Sequence, residues 1–245
     1  MLIFYRNTVA IDRNTHRHTR LATLPSPFGF AAGTNSVLLA GREFAAAALS
    51  YPIVFVGDRD KGRSAAALLG LRDAENLFVD ASGRWSAGDY IPAFVRRYPF
   101  VLAEEEGVDR YTVCMDAACP GFGEGEGERL FEDDGSESAY LQRNIDFMLT
   151  YRAEMARTAG FARMLDDLEL LVPKTVAVEH AGARHALEGF LVVDEARFAA
   201  LGDDQVLALW KQGYLPWVIQ HLGSLQNVAR LASRLERSPT DSGVQ

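Results

Sequence analysis

His16 and His18, one residue apart and with Asp12 just ahead of them, are the best local metal candidate in this chain. On a strand, residues i and i+2 share a face, so both imidazoles would reach one ion. Further ligands would have to come from His180, His185, His221 or a distant carboxylate. The H-x-D/E pair typical of iron oxygenases is absent. Solvent-facing histidines on an N-terminal segment are the simpler explanation. His16 and His18 therefore stay weak candidates, and no metal is expected.

A second constellation lies near the C-terminus. His221 and Ser224 stand at i and i+3 of a helical stretch close to Asn227, so their side chains can meet. Acyl transfer would also need a nucleophile elbow such as G-x-S-x-G, which the chain lacks, and a helical face offers no obvious oxyanion hole. A polar cluster that orients the helix against its neighbours is preferred. If a pocket exists, it must be assembled from distant segments, and His16, Arg96, Arg97, His221 and Ser224 are its candidate residues. Trp85, Trp210 and Trp217 are scattered as core residues would be.

Other features argue against specific chemistry. Gly121, Gly123, Gly125 and Gly127 alternate mostly with Glu; position 126 is Glu126, which breaks G-x-G-x-x-G and would repel phosphate. Asp133, Asp134, Ser136 and Glu137 supply oxygens without the D-x-D-x-D-G spacing of a calcium loop. Cys114 and Cys119 are spaced C-x4-C with no second pair, so two free, semi-buried thiols are expected in a reducing compartment. No cofactor is expected.

The 245 residues carry a formal charge of −8 and are 48% hydrophobic, an ordinary globular composition. The negative balance disfavours nucleic acid and anionic lipid. The basic run Arg13, His16, Arg17, His18 and Arg20 is short and lacks interleaved aromatics. No apolar run approaches the ~20 residues a membrane helix needs. The opening Met1-Leu2-Ile3-Phe4-Tyr5-Arg6 reads as a strand and lacks the marks of a secretory signal, so a cytoplasmic location is expected.

The elements that must position any site are set by local patterns. A helix is expected over Gly41 to Ser50, then a buried strand at Ile53-Val54-Phe55-Val56 after Tyr51-Pro52. Ala66 to Leu71 and Asn76 to Asp80 suggest a hairpin, and Tyr90 to Arg97 a helix stopped at Tyr98-Pro99 before the strand Phe100-Val101-Leu102. Ser138 to about Leu171 carries the longest helical pattern, bent or split at Gly160. A hairpin of Thr175 to Val178 and His185 to Val193 comes next, turning at Ala181-Gly182. Asp194 caps a helix over Glu195 to Leu201, and two more helices run from Asp203 to Gln212 and from Pro216 to Arg237. The whole predicts an α+β fold: a largely antiparallel sheet flanked by helices, with a helical C-terminal region. Residues 1–237 form one domain, strand-rich to about 118, with an exposed, mobile acidic loop at about 119–137 and a helix-rich part from 138. Residues 238–245, polar throughout most of their length, are expected to form a disordered tail.

Several segments resemble the SapC family of bacterial proteins. They include Phe30-Ala31-Ala32, Asn35-Ser36-Val37, Glu43-Phe44, Tyr51 to Phe55, Leu68 to Leu71, Asn76 to Asp80 and Gly83-Arg84-Trp85. The resemblance continues through Pro92 to Phe100, Leu130-Phe131, Asp133-Asp134-Gly135, Gly189 to Glu195 and His221-Leu222-Gly223-Ser224-Leu225, nearly the whole chain in order. The family is named for a protein linked to a bacterial surface layer, and members are encoded beside outer-membrane receptors, cupin-like oxygenases and flavin-dependent halogenases. The resemblance carries no catalytic residues with it. With no catalytic constellation in a globular chain, a non-catalytic accessory or interaction protein with a protein partner is expected; the other reading is an enzyme or a small-molecule or peptide binder with a pocket assembled from distant segments.

Overall fold

The computed structural model describes residues 3–104, 110–180 and 183–237, with backbone alone at 104, 178–180, 183–185 and 237. Its largest sheet has five antiparallel strands in the order β10-β11-β4-β5-β3: β3 is Ser36–Leu38, β4 Ile53–Asp58, β5 Gly62–Leu68, β10 Leu171–His180 and β11 Ala183–Val193. A second sheet orders β1 (Thr8–Ala10), β7 (Tyr111–Asp116) and β6 (Phe100–Glu104), and a third places β2 (Arg20–Leu21) between β8 (Phe122–Gly123) and β9 (Glu128–Arg129). Helices are α1 (Phe44–Ala47), α2 (Ala93–Arg96), α3 (Ala139–Asp167), α4 (Glu195–Ala199), α5 (Asp203–Lys211), α6 (Leu215–Ser224) and α7 (Asn227–Arg237). The fold is therefore α+β with antiparallel sheets, flanking helices and a helical region near the C-terminus.

Helix α3 is the spine. Ser138 caps it, accepting from the Leu141 N–H at 3.1 Å and donating to the Arg129 carbonyl, so the helix start is tied to β9. The helix then passes the second sheet and packs across β5. It is not split at Gly160. The missing Cβ there makes room for the Tyr214 hydroxyl, which would stand only 3.1 Å from it, so the glycine serves a close approach and not a break.

Other boundaries differ from the sequence expectation. The first strand is Thr8–Ala10, and the segment around Phe4 is a turn whose ring is buried against Phe30 and Phe94. The expected hairpin of Ala66 to Leu71 with Asn76 to Asp80 does not form. Ala66 and Ala67 pair with both β4 and β3, Leu68 pairs with β3, and Asn76 instead holds the Ala31 carbonyl and the Phe78 N–H. The real hairpin, β4 with β5, turns through Arg59-Asp60-Lys61, where Asp58 accepts from the Lys61 N–H. The helix expected over Gly41 to Ser50 is a 3-10 turn, Gly41–Glu43, running into one turn of α1. Tyr90 to Arg97 is helical only over α2. The C-terminal helix breaks at Leu225-Gln226 into α6 and α7.

The acidic stretch is also more ordered than expected. Cys119, Leu130 and Phe131 are buried at its two ends, and β8 and β9 clasp β2 between them. Gly127, at φ 122°, lies so close to the Leu21 backbone that any Cβ would overlap it. The basic segment packs onto this loop: Arg20 donates to the Gly127 carbonyl at 3.0 Å and Arg17 to that of Asp133. Two oppositely charged runs thus meet. The tail 238–245 and the turn Ala181-Gly182 lie outside the described residues.

Candidate functional site

The site begins at Gly41. A Cβ here would overlap the indole of Trp217, so only glycine lets the 3-10 turn press against the core. The Gly41 N–H donates to Thr158 Oγ1 at 2.8 Å, which fastens the turn to α3. This fixes Glu43, only 8% exposed, whose carboxylate accepts from the Ala40 N–H (2.9 Å), the Ala93 N–H (2.7 Å) and the Tyr90 hydroxyl (2.9 Å). Glu43 therefore joins the turn to the start of α2. Burial raises its pKa, and the donated hydrogen bonds and the nearby Arg96 offset this only in part. The Tyr90 phenol is pushed up to about 12 by burial and by the Glu43 charge, against the pull of Arg96.

Over this carboxylate lies a cavity of about 350 Å³, lined by Glu43, Tyr90 and Arg96 on one side and by α3 on the other. The helix presents Phe147, Thr150, Tyr151 and Glu154, whose i, i+3, i+4, i+7 spacing puts them on one face. Arg96 lies over the Tyr90 ring at 5.7 Å and the Phe147 ring at 5.1 Å, donating to the Ile91 carbonyl and the Tyr90 hydroxyl. Tyr151 is 9% exposed. Its hydroxyl and Glu154 Oε2 are buried without a hydrogen-bond partner among the described residues. An unsatisfied buried polar atom costs about 1–3 kcal/mol, so a second polar occupant would be favoured here.

Tyr151 also lines a neighbouring cavity of about 460 Å³ with Arg97, Arg152, Phe94, Met148 and Met155. The Arg97 guanidinium stacks on the Phe94 ring at 4.1 Å. Adjacent arginines at the end of α2 thus serve two hollows that meet at one tyrosine.

Of the residues singled out from sequence, Arg96 and Arg97 line these cavities and the other three do not. His16 accepts from the Asp12 N–H through Nδ1 (3.0 Å) in a turn over residues 13–18; the segment is no strand, so His16 and His18 are not paired on one sheet face. Among the described residues no group of three or more His, Cys, Asp or Glu side chains could hold a metal. The side chains of His180 and His185 lie outside the described residues.

His221 and Ser224 are fully buried in the core. His221 Nε2 accepts from the Val193 N–H at 2.9 Å, and burial drives its pKa down to about 4 against a smaller opposing pull from the Ile53 backbone. Ser224 Oγ donates to the His221 carbonyl (2.6 Å) and accepts from the Ile53 N–H (3.0 Å), while the Asn227 amide donates to the Ala48 and Tyr51 carbonyls. The hydroxyl faces the backbone and not the imidazole. Trp85 and Trp217 are core residues as expected, but Trp210 is 60% exposed.

Sequence reasoning passed over Glu43, Tyr90, Tyr151 and Glu154. The available signal was Thr150 and Glu154 interrupting the apolar stripe of α3, beside a tyrosine in register with them.

The class defined by fold and site is an α+β protein with a polar, aromatic-walled pocket between its longest helix and two short helical turns. A family model described as SapC matches residues 11–231. The chain belongs to the SapC family. No curated protein and no solved structure matches it. No helix among the described residues is long and apolar enough to cross a membrane.

Proposed function

We propose that this protein is a non-catalytic, cytoplasmic accessory protein that works by binding a small molecule or peptide in the cavity over Glu43 and Tyr151. The observation that carries this reading is the buried Tyr151 hydroxyl, unpartnered among the described residues, in the wall of a cavity drawn from segments far apart in sequence. The side chains most suited to acid–base or nucleophilic work, His221 and Ser224, are spent on backbone hydrogen bonds inside the core. The test is retention of a compound from a metabolite extract of the native cell, read by mass spectrometry. Wild type should retain a compound unchanged, and Thr150→Trp, which fills the cavity, should not. A compound released in altered form, or equal retention by both proteins, overturns the reading.

A protein partner is favoured by a separate observation. Leu207 and Trp210, one turn apart on α5, stand 46% and 60% exposed, and paired apolar side chains of this kind suit a protein contact. The neighbourhoods implied by the family suggest enzymes or receptors encoded nearby as partners. Trp210→Glu should abolish co-purification with such a partner; unchanged co-purification would remove α5 from the interface.

A further inference from the structure

The charges around the Glu43 cavity narrow the ligand class, on the assumption that the binding reading above holds. Arg42 and Arg96 bring positive charge to its lining, Glu43 and Glu154 acidic groups. Arg42 is exposed and has no hydrogen bond or ion pair among the described residues; Arg96 uses two of its donor groups and keeps the rest. Glu43 already accepts from three donors, so Glu154, whose Oε2 lacks a partner among the described residues, is the carboxylate more open to a ligand.

An anion would leave the buried, partnerless Glu154 Oε2 uncompensated, and a cation would leave the free donors of Arg42 and Arg96 unused. A zwitterion satisfies both. The volume of about 350 Å³ sits at the small end of ligand pockets, and the walls of Phe147, Tyr90 and Tyr151 suit a modest apolar or aromatic group. We propose that the cavity between the Gly41–Glu43 turn, α2 and α3 binds a free α-amino acid. Its ammonium donates to Glu154, its carboxylate meets Arg42 and Arg96, and its side chain lies against Phe147 and Tyr151.

Calorimetry of the full chain with each of the common L-amino acids tests this, followed by the N-acetyl derivative and the methyl ester of the best binder. At least one amino acid should bind, and each modification should weaken it tenfold or more. Arg42→Gln, at a side chain that supports nothing else among the described residues, should weaken the acid while leaving the ester unchanged. Glu154→Gln should remove most of the penalty for N-acetylation. If the acetylated and esterified forms bind as well as the parent, zwitterion recognition is wrong. If no amino acid binds but a metabolite retained by wild type is lost in Thr150→Trp, the ligand class falls and the binding reading stands. If no metabolite is retained either, both fall.

Discussion

The Val193 N–H donates to Nε2 of His221 across 2.9 Å, joining the end of β11 to α6 in an environment that excludes water. The acceptor nitrogen must be unprotonated, so this contact makes stability depend on pH. In the unfolded chain the imidazole titrates near 6.5; in the fold its pKa is about 4. The unfolded state therefore binds more protons between these values. The His221 contribution is fully present above pH 6.5 and is lost as pH falls through 4, in total about 3 kcal/mol. Urea midpoints measured from pH 7.5 to 3.5 should fall in that window, and His221→Gln should flatten the slope. An equal slope in both proteins would contradict the assignment.

Ser224→Ala leaves the Ile53 N–H without its acceptor at the head of β4. The expected loss is about 1–3 kcal/mol, the cost of an orphaned buried donor. Hydrogen exchange supplies the specific readout. The Ile53 amide should exchange faster relative to its β4 neighbours, an effect a diffuse packing defect would not produce.

Glu43→Gln replaces one carboxylate oxygen by an NH₂ group. Each oxygen accepts from a backbone N–H, so one donor must then face another donor. A loss of about 1–3 kcal/mol is expected at neutral pH. The pH sign is opposite to that of His221. Because the folded pKa of Glu43 is raised, its contribution is present below the unfolded carboxyl value and is lost as pH rises through the folded one. The deficit of Glu43→Gln against wild type should therefore be larger in acid than at neutrality. A deficit that instead grows as pH rises would show that the carboxylate is stabilised by its donors more than burial opposes it.

Gly41→Ala drives a methyl group into the Trp217 ring, which is packed against Phe44 and Phe161 and has little freedom to retreat. A loss of about 1–3 kcal/mol is expected from overpacking. A shift in the tryptophan emission and weaker ligand retention should accompany it, because the same turn carries Glu43. Gly135→Ala is the contrast: its φ of 85° makes it strained, yet a Cβ there meets nothing, so ligand retention should be unchanged.

Much of the fold was legible locally. The 3.6-residue stripe of α3, the Asp194 cap and the hairpin of β10 with β11 depend on residues a few positions apart. The expectations that failed did so where partners come from far away. Ala66 to Leu68 has the pattern of a first hairpin arm paired with Asn76 to Asp80, but it is the middle strand between β4 and β3. The acidic run reads as free because its charges are visible in sequence, whereas the burial of Leu130 and Phe131 and the pairing with β2 are not.

The candidate site divides in the same way. Arg96 and Arg97 stand out in sequence as charges next to a helix stop, and both do line cavities. His221 and Ser224 are near neighbours in sequence, but their hydrogen bonds reach Val193 and Ile53 and turn them into core fasteners.

Sequence alone determined the long helix α3, the Asp194 cap and the strands that follow Tyr51-Pro52 and Tyr98-Pro99, because periodicity, capping and proline stops act over a few residues. Only the tertiary structure decided that Glu43, Tyr90 and Tyr151 face one hollow. Whether a polar side chain ends up buried, and whether it finds a partner there, depends on which remote backbone closes over it, and no local pattern encodes that.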